Sequence, residues 1–101
     1  MTDNNTITQY SNYLLDSLSR CGLQKSDKAL NAIKQHVGIA YLRGQTNTGT
    51  VNNPVDTEIN MLLLRLHLQD IVEIKSIIQE CLEKVYDEGL RMQAHKIKMV
   101  A

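Results

Sequence analysis

From Pro54 to Glu88 the sequence runs without a glycine or a second proline, and its apolar residues keep a helical period throughout. An unbroken helix of roughly 35 residues would be about 52 Å long at 1.5 Å rise per residue. A compact chain of 101 residues has a radius of gyration of only about 13 Å. Such a helix must bend or break, protrude, or lie along a partner. Its start is well marked: Asn53 is suited to cap, Pro54 sits in the first turn without losing a needed N–H, and Asp56 and Glu58 favour the positive end of the helix. The stretch LLRLHL alternates enough to suggest a strand, but leucine-rich composition and the period that continues beyond it favour helix.

Along this segment Leu64, Ile71, Ile78 and Val85 recur at intervals of seven, with Ile74 and Cys81 in the d-like positions between them. His67 occupies the d-like position one heptad earlier, and Leu62, Leu66, Leu82 and Tyr86 widen the apolar face. A band this broad suits a helical bundle or a broad dimer better than an isolated two-stranded coil. The chain contains no Phe and no Trp, and a domain of this size buries only about 60–65% of its unfolded surface. Burial against a second copy would relieve both problems. The expectation is therefore a homodimer with Leu64, Ile71, Ile74, Ile78, Cys81 and Val85 in its interface.

Two further amphipathic stripes precede the long one. Ile7, Tyr10, Leu14, Leu18 and Cys21 mark one face of a helix opening near Thr6, where Thr6 and Gln9 have capping-box spacing. Gly22-Leu23 reads as its stop, with glycine left-handed and leucine packing back. Ser26 is the next N-cap, with Asp27 favourable in the first turn, and Leu30, Ile33, Val37, Ala40 and Tyr41 form the second stripe before Gly44 ends it. Gly38 lies inside that stripe, where close approach of another helix would explain it. These readings predict an all-α fold of three helices, near 6–21, 26–43 and 54–88. Residues 1–5 form a flexible N-terminus, 6–88 a single helical domain, and 89–101 a basic tail or helix extension.

Formal charge is zero, yet unevenly spread. Residues 20–43 carry five basic side chains against Asp27, a net +4, whereas 54–90 carry eight acids against Arg65, Lys75 and Lys84, a net −5. Such asymmetry fits solvated helix faces or helices that attract one another. Cys21 and Cys81 stand far apart without a CxxC or neighbouring histidines, which points to reduced thiols rather than a disulfide framework or zinc site. The first ten residues lack a secretory pattern and no apolar stretch reaches the 18 or so residues of a membrane span, so the expected address is the cytoplasm.

No catalytic constellation is evident. His36, His67 and His95 fall in separate segments, none in HExxH spacing, and Glu80, Glu83, Asp87 and Glu88 read as a solvated face with Glu80–Lys84 and Asp87–Arg91 spaced for weak ion pairs. The segment GQTNTGTVNNP at 44–54 has the glycines and hydroxyls of a phosphate cradle but lacks the Gly-Lys-Ser/Thr ending, and a turn between helices explains it better. No metal or cofactor is expected. The basic residues Lys28, Lys34 and Arg43 are the first choice for contact with an acidic partner. DNA is a weaker candidate: Gly22–Lys25 could turn into a recognition helix carrying these residues with Asn31 and Gln35.

The order of elements resembles the YmgB/AriR family of small enterobacterial biofilm and acid-resistance regulators. The matching features are a short first helix with SDKAL nearby, a helix ending at Leu42-Arg43-Gly44, the asparagine-containing turn TVNNP, and the long segment INMLLLRLHLQDIVEIKSIIQECLEKVY. They span residues 10–88; the 44–54 connection is longer than in the family pattern, and a basic tail follows Gly89. The resemblance implies an all-α homodimer without catalysis, a connector to two-component phosphorelay signalling that binds a partner such as a response regulator, with DNA binding also proposed for the family. Two readings of other kinds stand beside it: a phage or mobile-element inhibitor that binds a host defence protein or a nucleotide signal through the polar loop, and a small DNA-binding regulator.

Overall fold

The long apolar segment is two helices. In the computed structural model, which describes residues 4–46 and 54–100 (93–100 by their backbone alone), the helices are α1 (Asn4–Ser19), α2 (Asp27–Thr46), α3 (Asp56–Arg65) and α4 (Val72–Val100). The fold is all-helical among the described residues, with four helices where three were expected. Between α3 and α4 the chain doubles back, so the length conflict is resolved by a break.

That break is made by a histidine standing where glycine is usual. Leu68 N–H donates to the Leu63 carbonyl at 2.9 Å and His67 N–H to the Leu64 carbonyl at 3.3 Å, the paired bonds of a Schellman stop. His67 takes the left-handed conformation this requires, with φ 54°. Left-handed backbone costs a non-glycine residue about 1–2 kcal/mol. Folding back buries Leu62, Leu63 and Leu66, each worth about 1.5–3 kcal/mol, so burial outweighs the strained turn. Beyond the turn Ile71 begins α4, its carbonyl accepting the Lys75 N–H at 3.0 Å, and Asp70 pairs with Lys75 at 3.2 Å.

The same stop, with glycine, ends α1. Leu23 N–H donates to the Leu18 carbonyl and Gly22 N–H to the Ser19 carbonyl, both at 3.1 Å, with Gly22 at φ 107° and Leu23 packed on the core. The Ser26 hydroxyl accepts the Ala29 N–H at 3.1 Å and caps α2, as its position in the sequence indicated. The start of α1 differs: it opens at Asn4, and Thr6 lies inside the helix.

α2 and α4 form the central pair, and α1 and α3 each pack against both without touching one another. Gly44 and Gly89, expected to end their helices, instead lie within them where α2 crosses α4. A Cβ on Gly44 would run into the Tyr86 carbonyl and stand 3.0 Å from the Gly89 Cα; one on Gly89 would run into the Tyr41 carbonyl and stand 2.9 Å from the Gln45 N. The helices meet backbone to backbone there. Gly38 has no such role, since an added Cβ would meet only the Ile7 Cδ1 at 4.0 Å. Along the bundle, Leu14 and Leu18 of α1, Ile33, Val37 and Tyr41 of α2, Leu62 of α3 and Ile78, Leu82 and Val85 of α4 are fully buried.

Two substitutions with one chemistry should therefore diverge. Gly44→Ala forces two backbones apart, an overpacking cost of about 1–3 kcal/mol or more. Gly38→Ala should stabilise by up to about 1 kcal/mol through helix propensity. Thermal denaturation checks the pair: the melting temperature falls in the first and rises or holds in the second.

Candidate functional site

The six residues expected in a dimer seam divide at the α3–α4 break. Ile74, Ile78, Cys81 and Val85 are buried by the protomer's own helices, which corrects the reading that they await a second copy. Leu64 and Ile71 are exposed, Leu64 to 71%. Cys81 donates its thiol to the Tyr10 carbonyl at 3.6 Å, and burial pushes its pKa up to about 12, the environment of a core side chain.

Around Leu64 and Ile71 the α3–α4 corner gathers other uncovered apolar residues. Val72 is 76% exposed and Met61, one turn before Leu64, is also exposed. Leu63, Leu64, His67 and Leu68 line a shallow depression on one side of the turn, and His67, Leu68, Ile71 and Ile74 line another beside Cys21 and Gly22. The two depressions share His67 and Leu68, so they adjoin at the corner. His67, expected in the seam, is at its centre and exposed.

Lys28, Lys34 and Arg43 do not share a face. At 100° per residue Lys28 and Arg43 lie about 60° apart around α2, while Lys34 is about 180° from Arg43. Lys28 is exposed and Lys34 half-buried. Arg43 is engaged within the fold: it donates to the buried carboxylate of Glu58 and, at 3.2 Å, to the Pro54 carbonyl. α2 is also flanked by α1, α3 and α4, which leaves only a narrow outer strip that includes Asn31 and Leu42.

The Arg43–Glu58 pair belongs to a polar cluster between α2 and α3 that the sequence reading missed. Arg65 donates through Nη1 to the Gln35 Oε1 at 2.7 Å and to the His36 Nε2 at 3.1 Å. His36 is buried, and its Nδ1 stands 3.8 Å from Glu58 Oε1, too far for a hydrogen bond. Burial and the neighbouring Arg65 charge push the imidazole below its ordinary value, with Glu58 opposing them. Only the spacing of His36 and Arg43, one helical edge opposite an acidic helix start, could have signalled this cluster.

A second concavity, an open groove of ≈ 370 Å³ between α1 and α4, is floored by Tyr10, Ile77 and Cys81 and rimmed by Tyr13, Glu80 and Lys84. Lys84 pairs with Glu80 at 3.3 Å, as their spacing indicated, and that bond holds its ammonium above its ordinary pKa. Arg91 bonds Glu88 at 3.0 Å and not Asp87. Among the described residues no group of His, Cys, Asp and Glu could hold a metal ion, and no helix is long and apolar enough to cross a membrane. Of the 44–54 connection, read as a turn between helices, Gly44, Gln45 and Thr46 are helical, and residues 47–53 lie outside the described residues.

No family model, curated protein or solved structure matches the chain.

Because the corner is held by a left-handed histidine, His67→Gly should stabilise the chain by about 0.5–1 kcal/mol, the steric relief exceeding the added unfolded-state entropy. Glu58→Ala should destabilise by about 1.5–3 kcal/mol, the range for losing a hydrogen bond to a charged group, because the half-exposed Arg43 left behind can turn to water. Denaturant titration of both variants reads these changes in the midpoint.

Proposed function

We propose that the chain is a non-enzymatic binding protein, a small regulatory adaptor that acts by protein–protein contact through the α3–α4 corner. The observation that carries this reading is the exposure of Met61, Leu64, Ile71 and Val72 on either side of the α3–α4 turn. Scattered exposed apolar residues are ordinary, whereas four flanking one turn, beside two shallow depressions, fit a contact site. The first partner is a second copy of the chain, which would bring two corners together about a twofold axis and leave both cores intact. The second is a regulatory protein such as a response regulator. This draws on the resemblance of sequence features to YmgB/AriR connectors, although Leu42-Arg43-Gly44 is helical interior and not a helix end, and the long segment 59–86 is two helices.

Leu64→Glu combined with Val72→Glu tests the corner. Both side chains face solvent, so stability should change by no more than about 0.5 kcal/mol per site and the circular dichroism spectrum should hold. Self-association measured by sedimentation, and binding to a response regulator, should both be lost. Ile78→Asp supplies the contrast: its side chain is fully buried in the protomer, so it should unfold the chain rather than merely dissociate it. A wild-type chain that stays monomeric at high concentration, together with a double variant that keeps all partner binding, would remove the corner from consideration.

A further inference from the structure

His36 and Arg65 meet in a way that fixes where protons can sit. A guanidinium only donates, so the His36 Nε2, 3.1 Å from the Arg65 Nη1, must be a bare acceptor. The neutral ring therefore carries its proton on Nδ1, which faces Glu58 Oε1 at 3.8 Å. A second proton has to enter at Nε2, the atom Arg65 already occupies. Two donors would then face each other across 3.1 Å, and Arg65, which is exposed, has water to move into.

We propose that His36 and Arg65 form a proton-sensitive latch that adds to the burial of Leu62, Leu63 and Leu66 in holding the C-terminal end of α3 against α2, and that protonation of His36 loosens that end. The geometry makes the release local. Arg65 is the last residue of α3, a helix of 10 residues. The other end of that helix is tied by Arg43 to Glu58 and to the Pro54 carbonyl, contacts that do not involve Arg65. Directly after Arg65 comes the turn with His67 left-handed. The protonated ring would face the Glu58 carboxylate, already bonded to Arg43, so the cluster rearranges around a partner that stays in place. The charged groups bearing on His36 are Glu58 and Arg65, both from α3; α1 and α4 contribute none among the described residues.

The direction with pH follows from these neighbours. Burial and Arg65 hold the closed-state imidazole below its ordinary 6.5, against the pull of Glu58. The lifted state takes up a proton near the ordinary value, the closed state only at lower pH. The latch is thus fully closed above about pH 6.5 and weakens as pH falls through the lower, closed-state value.

Amide hydrogen exchange from pH 7.5 to 5, with the His36 ring followed by NMR, tests this in wild type, His36→Gln and Arg65→Gln. In wild type the amides of Leu62 to Leu66 should lose protection on acidification, by up to about tenfold per pH unit for one proton. Amides at the α2–α4 crossing should keep theirs. His36→Gln should abolish that pH dependence. Arg65→Gln replaces an exposed side chain, so its fold is secure, and it should raise the His36 pKa and lower α3 protection at neutral pH. Constant α3 protection in wild type after correction for intrinsic exchange would overturn the latch. So would a His36→Gln variant that tracks wild type, simultaneous loss of protection in all helices, or a His36 pKa that stays put or falls in Arg65→Gln.

Discussion

The contact between the Gly44 and Gly89 backbones is the constraint on which the rest of the fold depends. Helix axes separate by about 8–10 Å according to the side chains between them, and two facing glycines set the close end of that range. A core without Phe or Trp needs such closeness, because Leu, Ile and Val span less distance than aromatic rings. With α2 and α4 drawn together, Tyr41, Val85 and Tyr86 close over the crossing. α1 and α3 then lie on either side of the pair, in contact with both. A Cβ at either glycine would act on a shared spacing and not on one local contact.

Much of this was legible where a residue type has one local use. Ser26 capped, Gly22-Leu23 stopped α1, and the stripes of α1 and α2 faced inward except at Cys21, which is exposed beyond the end of α1. Glycine has two uses, however: it ends helices and it lets helices touch. The sequence around Gly44 and Gly89 suggests the first, because the second depends on two positions far apart in the chain meeting in space. Gly38, taken by sequence alone, suggests the role that belongs to Gly44 for the same reason. The α3–α4 break was hidden more deeply, since the left-handed position is filled by His67, and the burial of Leu62, Leu63 and Leu66 that stabilises it is tertiary.

Charge tells a similar story. The basic 20–43 segment and the acidic 54–90 segment were read partly as helices that attract one another, and the Arg43–Glu58 pair is one such attraction, between α2 and α3. It also removes Arg43 from the set of free cations on which an acidic partner could act. Arg65 shows the reverse pattern: a base inside the acidic segment reaches back to Gln35 and His36 on the basic one. Net segment charge indicates that helices attract; which side chains meet is decided by helix phase.

The exposed corner and the missed break have a single cause. In an uninterrupted helix Leu64, Ile71 and Ile78 would share one seam, and all three would be covered or exposed together. At His67 the chain reverses, so the heptad phase is lost between Leu64 and Ile74. The later part of the seam, from Ile74 onward, enters the protomer's core, while Leu64 and Ile71 are turned out to solvent. The energy that favours the turn is burial of three leucines on the inner side of α3; the same rotation leaves Met61 and Leu64 on its outer side. An apolar surface at this corner is therefore a geometric consequence of folding the long segment back within one chain, and the contact role proposed for it draws on residues that the protomer itself cannot cover.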